Sequence, residues 1–262
     1  MKKDIKKRNT ILTIILIGII FAYMLILQLN SASHSYAISI IERSAIYAVV
    51  AVAMNMLTGF TGLFSLGQAG FMAIGAYVTA ILIIPVESRP TVYYVNGIAP
   101  WLANVSLPWW LAMLLGGLIA AGFAALIGFP VLRLKSDYLA IATLGFAEII
   151  RAVIAAPGLN QITNGSYGLN TIPGYHSIFT PVIVSIICIA LMVMLLRSSY
   201  GRAFTAIRED EVAAEAMGIN LFKTKELAFI ISSFFTGIAG GLLAIYMRSI
   251  DAKTFQVTLT YT

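Results

Sequence analysis

The chain has 262 residues, 60% of them hydrophobic and 11% charged, with a formal net charge of +6 and a mean hydropathy of +0.91. That apolar excess excludes a soluble globular domain and calls for several bilayer spans, so the basic balance reads as lysine and arginine gathered on the cytoplasmic face, not as a nucleic-acid surface. A single cysteine, Cys188, lies inside an apolar run, which excludes a disulfide framework and a thiolate metal site.

Lys2, Lys3, Lys6, Lys7 and Arg8 precede an apolar run over residues 11–27, and Ser31, Ala32 and Ser33 follow it. The pattern imitates a secretory signal and its cleavage site. The run is long, however: at about 1.5 Å per residue it approaches the hydrocarbon thickness, and it predicts a retained anchor with the amino terminus inside. Further apolar runs cover residues 36–57, 69–85, 108–132, 138–156, 178–196 and 227–247. The sequence therefore predicts an all-α polytopic membrane helical bundle of about seven transmembrane spans, forming one domain over residues 1–262. With the amino terminus inside, Arg133, Lys135, Arg197, Arg202, Arg208, Lys223 and Lys225 fall on the cytoplasmic face and only Arg89, Arg248 and Lys253 outside.

Between the second and third runs lies TGFTGLFSLGQAG, residues 58–70, with four glycines, four polar side chains (Thr58, Thr61, Ser65, Gln68) and no charge. A cytoplasmic solvent loop would carry charge, and a lipid-facing helix would not carry so much glycine. A broken or re-entrant segment buried in protein or lining a cavity satisfies both constraints, with a tight interhelical turn as the plainer alternative. Two external loops follow from the topology. Residues 87–107 carry Pro90, Tyr93, Tyr94, Pro100 and Trp101, with Trp109 and Trp110 beyond as interfacial anchors, and residues 157–177 are rich in glycine and asparagine. Asn104 and Asn164 begin N-x-S triplets that are common by chance. His34 and His176 have no metal-site spacing.

Gly116, Ala120, Ala124 and Gly128 recur every four residues, and Gly237 and Gly241 form a GxxxG. Such faces bring helix backbones together, and they read as bundle packing in preference to pore lining. Glu148 and Arg151 are spaced for an ion pair on one helix. The longest charged island, residues 197–226, sits between two apolar runs and predicts a cytoplasmic platform for a partner. Within it residues 211–217 read as a short helix with Ala213, Ala214 and Ala216 as a small face and Gly218 as its left-handed cap. On residues alone, a solvated charged loop is the simpler reading of this island. No phosphate-cradling G-x-x-x-x-G-K-[ST] motif occurs, and no Ser–His or paired-Asp arrangement stands at membrane depth, so the residues propose no catalytic, cofactor or metal site.

Three blocks, GLFSLGQAGFMAIGAYVTAIL, SDYLAIATLGFAEIIRAVI and AIREDEVAAEAMGINLFKTKELAFIISSFFTGIAGGLLA, resemble the LivM-type permeases of branched-chain amino acid ABC transporters. The resemblance implies a multi-pass, non-catalytic permease of a bacterial or archaeal cytoplasmic membrane. It implies as partners a LivH-type permease, two cytoplasmic ATPase subunits and an extracytoplasmic substrate-binding protein. It places Glu211, Ala213, Ala214, Glu215 and Gly218 in the segment that couples to an ATPase, making residues 197–226 a cytoplasmic coupling loop. Such permeases continue through further apolar helices after the region of Phe255, so the resemblance also predicts a chain truncated at its carboxyl end. For the pathway the candidates are Thr61, Ser65, Gln68 and Thr143. The same residues leave a rival, an ion-gradient-driven transporter or channel, which would need a mid-membrane carboxylate that the sequence does not offer. A structural membrane subunit without a pathway is a third class, and related permeases serve urea and short amides.

Overall fold

The computed structural model describes residues 20–30, 34–95, 97–134, 136–175 and 177–256. The basic cluster at residues 2–8, the start of the first apolar run, Ser31 to Ser33, Lys135 and His176 lie outside the described residues. Helices follow one another as α1 (Ile20–Leu29), α2 (Ser35–Asn55), α3 (Gln68–Ile83), α4 (Arg89–Val92), α5 (Trp109–Val131), α6 (Ser136–Ile154), α7 (Asn160–Thr163), α8 (Phe179–Leu196), α9 (Ser199–Glu209), α10 (Glu211–Ala216) and α11 (Leu221–Met247). Among the described residues the only β pairing is an isolated bridge between Leu169 and Ile250.

Among the described residues four helices are long and apolar enough to cross a bilayer, or up to six if each bent pair counts as one span. The six apolar runs expected from residue 36 onward each coincide with a helix or a bent pair. One bend, of 100°, separates α3 from the turn leading into α4, and the other, of 58°, separates α6 from the turn leading into α7. Pro85 and Pro157 stand at these breaks, where a proline cannot continue the preceding helix.

The core forms where α3, α5 and α11 meet. Gly75 of α3 lies so close to α11 that an added Cβ would fall on the carbonyl of Gly237. A Cβ on Gly237 would stand 2.7 Å from that of Ala120 and 3.0 Å from the Cα of Gly117, both on α5. Without glycine the three backbones could not approach this closely, and dispersion between them would be lost. Gly116, Ala120, Ala124 and Gly128 all face this contact and are buried, so the small-residue stripe is the packing surface the sequence predicts. α11 occupies the centre, with α2 beside it and α8 against α2 on the outside. Buried Cys188 packs within α8.

The alternating helix directions give the bundle two ends. One collects residues 56–67, the turn after α5, and α9 with α10. The other collects the segments before α2, between α3 and α5, between α6 and α8, and after α11. Arg89 organises the second end. Counted as an external charge from the sequence, it is buried (2% exposed). Its guanidinium donates to the carbonyls of Ile81 (3.4 Å), Ile84 (3.2 Å), Leu102, Ala103 (2.9 Å) and Val105 (2.5 Å). All five N–H groups of the fork are thus occupied by backbone, which fastens the loop before α5 over the end of α3. Nearby, the buried Asn164 amide donates to the carbonyls of Val92 (3.0 Å) and Gly168 (2.7 Å), so it is a structural tie and no glycan acceptor.

Candidate functional site: a buried break and a tethered surface helix

α2 ends in a π turn, Met56–Phe60, and the chain then runs without regular structure until Gln68 opens α3. Thr61, Ser65 and Gln68 are buried, which excludes the plain solvent turn and leaves irregular backbone held inside protein. The freed backbone groups find partners. The N–H of Leu63 donates to the Leu57 carbonyl (3.0 Å), and that of Leu66 to Oγ1 of Thr143 on α6 (3.0 Å). Gly67 N–H donates to Ser65 Oγ (3.4 Å). Thr61 donates to the Met56 carbonyl (2.9 Å) and Thr143 to that of Ala140 (3.0 Å).

Gln68 takes a different direction from Thr143. Its Nε2 donates to Ser232 Oγ (3.0 Å), its Oε1 accepts from Thr236 Oγ1 (2.6 Å), and Ser232 donates onward to the Ala53 carbonyl (2.8 Å). A polar seam therefore joins α11, the start of α3 and α2 across the centre of the bundle. The structure brings Thr143 to the irregular segment and Gln68 to α11, and it leaves all four predicted pathway residues buried and hydrogen-bonded. Ser232 and Thr236 are polar partners that sequence reasoning missed. Their i, i+4 spacing on an apolar helix was the available signal.

Beside the break a cavity of about 590 Å³ opens at the first end of the bundle, lined by Gly62, Leu63, Arg133, Glu211, Phe222 and Lys225 among others. Glu211 and Lys225 are paired across it at 2.7 Å, and Arg133 lies over the rings of Phe129 (4.4 Å) and Phe222 (5.8 Å). Glu211 is thus engaged within the chain and helps wall this cavity.

The charged island folds into α9, α10 and the start of α11. Ser198 caps α9 by accepting from the Tyr200 N–H (3.2 Å), and Phe204 and Ile207 are buried beneath it. Asp210 caps α10 by accepting from the N–H groups of Val212 (2.9 Å) and Ala213 (3.1 Å). Gly218, at φ +86°, is the left-handed residue the sequence predicts. Around it the Gly218 N–H donates to the Glu215 carbonyl (2.9 Å) and the Ile219 N–H to that of Ala214 (3.1 Å), a Schellman closure. Arg208 ties the unit to the break: its Nη1 donates to the Gly59 carbonyl (2.7 Å), its stem covers Gly62, and it pairs with Glu209.

The face offered by α10 differs from the predicted one. Ala214, expected on a small face for docking, is only 4% exposed because it turns toward its own chain. Ala213, Glu215 and Gly218 are exposed. The large apolar side chains that stand free are Val212 (78%) and Met217 (83%), which the sequence reading passed over. Their position at the two ends of a six-residue helix gave no periodicity to read.

These features define a polytopic helical membrane protein with a buried break between two spans and a capped surface helix bound to it. The family described as branched-chain amino acid transport system / permease component matches residues 36–262, and the chain belongs to it. It is 32% identical over 253 residues to the high-affinity branched-chain amino acid transport permease LivM of Salmonella typhimurium, covering 84% of this chain and 55% of that protein. It is 25% identical over 224 residues to a probable LivH permease of Methanocaldococcus jannaschii (81% and 68%), and 27% identical over 228 residues to the guanosine ABC transporter permease NupQ of Bacillus subtilis (78% and 66%). The chain spans about half the length of the LivM protein it matches. No solved structure matches it at comparable significance.

Proposed function

We propose that the chain is a permease subunit of an ABC importer that moves branched-chain amino acids inward, with ATP hydrolysed on two separate cytoplasmic subunits. A LivH-type permease completes the membrane unit, and an extracytoplasmic binding protein delivers the substrate. The observation that carries this reading is the α9–α10 unit. It is capped at both ends, it presents Val212 and Met217 to a partner, Arg208 binds it to the break at residues 58–70, and the Glu211–Lys225 pair binds it to the start of α11. A push on α10 is thereby delivered to the irregular segment and, through Gln68, to α11. Thr61, Ser65, Gln68 and Thr143 form the part of the pathway that this push opens, and Glu211, Ala213, Glu215 and Gly218 belong to the coupling segment together with the two exposed apolar residues. Ala214 acts there from within, by seating α10 on its own chain.

The orientation follows from charge. Arg133, Arg197, Arg202, Arg208, Lys223 and Lys225 share the end that carries α10, which supports a cytoplasmic placing of that end with the amino terminus inside. Similarity to LivM favours leucine, isoleucine and valine, whereas similarity to a guanosine permease favours a nucleoside. Proteoliposomes holding the full permease pair, the ATPases and the binding protein separate these. The expected result is ATP-dependent uptake of labelled leucine with neither guanosine nor urea carried. Leucine uptake driven by an ion gradient without ATP would replace the reading with a secondary transporter, and ATP-dependent uptake of guanosine or urea alone would reassign the substrate.

A further inference from the structure

At the end of the bundle opposite α10 a second cavity, of about 370 Å³, opens between α2, the loop before α8 and the end of α11. Its size lies within the roughly 300–1,000 Å³ typical of small-molecule sites. Two full charges of opposite sign line it, Glu42 from α2 and Arg248 just beyond α11; Gln28, Ser35, Ser39 and Ser177 add polar groups, and Ile38, Ile178 and Ile245 supply the smaller apolar part of the wall. Glu42 is half-buried, two turns into an apolar helix, and Arg248 lies within its electrostatic reach. Among the described residues neither of the two takes part in an ion pair.

Arg248 is placed with some care. It adopts the left-handed conformation at φ +58°, which is uncommon for a residue with a side chain. Its carbonyl accepts from the Ile172 N–H (3.1 Å) and its N–H donates to the Ala244 carbonyl (3.0 Å), which fix that turn. The guanidinium then lies across Gly174, where a Cβ would come within 2.6 Å of Cζ. Tyr175 closes the floor: its hydroxyl donates to the Leu242 carbonyl (2.6 Å). Burial, with Glu42 adding to it, pushes this phenol well above its ordinary range, so it stays neutral.

A half-buried carboxylate in an apolar span is costly without a partner, and a guanidinium held beside it without pairing leaves a gap between the two charges. We propose that this cavity is a binding site for the zwitterionic head of an aliphatic α-amino acid, with Glu42 receiving the ammonium, Arg248 the carboxylate, and the isoleucine walls the side chain. The inference rests on the reading of the chain as an amino-acid importer subunit. It adds a substrate-selecting site in the membrane part itself, one that neither urea nor a nucleoside would fill, since neither carries both charges.

The test uses the full chain with its partner permease in lipid nanodiscs, free of binding protein. Labelled leucine is competed with 4-methylpentanoate, which lacks the ammonium, and with 3-methylbutylamine, which lacks the carboxylate. Leucine should bind, and each analogue should compete at least about tenfold more weakly, as expected for losing a hydrogen bond between charged groups. Glu42→Gln should lose about tenfold in leucine affinity while 4-methylpentanoate is unimpaired, and Arg248→Gln should do the same for leucine while 3-methylbutylamine is unimpaired. Arg248 stands at the exposed rim, so its variant remains readable even if Glu42→Gln does not assemble. Analogues that compete as well as leucine, or an Arg248→Gln variant that binds leucine as wild type does, overturn the site. The same assemblies, given ATPases and binding protein, keep the two claims apart. Leucine uptake by the wild type with unaltered variants sinks the site alone, whereas absence of ATP-driven leucine uptake sinks the importer reading.

Discussion

Replacing Gln68 with Met breaks the polar seam at its centre while leaving its volume nearly unchanged, so no cavity term enters. Two side-chain hydrogen bonds go, the one donated to Ser232 (3.0 Å) and the one accepted from Thr236 (2.6 Å). Ser232 keeps its bond to the Ala53 carbonyl. The orphan is therefore the Thr236 hydroxyl, which can turn back to the carbonyl one turn earlier in α11 and so limit the loss. Side-chain hydrogen bonds in helical membrane proteins are worth about 0.6 kcal/mol on average and about 1.7 at most, which places the whole substitution at roughly 1–3 kcal/mol. A double-mutant cycle of Gln68→Met with Thr236→Val isolates one bond. Followed by SDS-titrated unfolding of the purified chain in mixed micelles, it should return a coupling of about 0.6–1.7 kcal/mol. Additivity to within about 0.3 kcal/mol would refute the direct link between the start of α3 and α11.

Three further outcomes are expected. With Cys188 first changed to Ser, a cysteine in place of buried Ser65 should react slowly with a small aqueous thiol reagent at rest and faster when ATP and binding protein drive turnover; equal rates in every state would remove residue 65 from the pathway. Gly75→Ala puts a methyl group onto the Gly237 carbonyl, a backbone atom that cannot swing aside, and should cost about 1–3 kcal/mol or prevent folding. Gly122→Ala on α5 meets nothing within 4 Å and should stabilise by up to about 1 kcal/mol. Equal yields and unfolding midpoints for these two variants would contradict the three-helix contact.

What the sequence revealed about this molecule was mostly local or periodic. Apolar runs located the crossings, the four-residue spacing from Gly116 to Gly128 located the tightest packing, and Gly218 after a short alanine-rich stretch located the end of α10. The uncharged, glycine-rich composition of residues 58–70 was enough to narrow that stretch to two structures, and burial of Thr61, Ser65 and Gln68 decided between them. The rest depended on contacts between distant residues. Arg89 looked like a surface charge because the five carbonyls that surround it come from two segments whose approach no periodicity encodes. Gln68 and Thr236 are 168 positions apart, and Glu42 and Arg248 come to line one cavity only once α2 and α11 lie side by side. Ala214 was assigned to an outer face because a six-residue helix is too short to show which side is buried.

Site-directed photocrosslinking from Met217 tests the central claim most directly, because that side chain is 83% exposed on the tip of α10 and makes no contact the fold requires. With a photoreactive residue at 217 in the assembled transporter, the account predicts capture of an ATPase subunit, and no such capture from position 253 at the other end of the bundle. Capture of an ATPase from 253 in place of 217, or none from 217 in an assembly that hydrolyses ATP and takes up leucine, would contradict it.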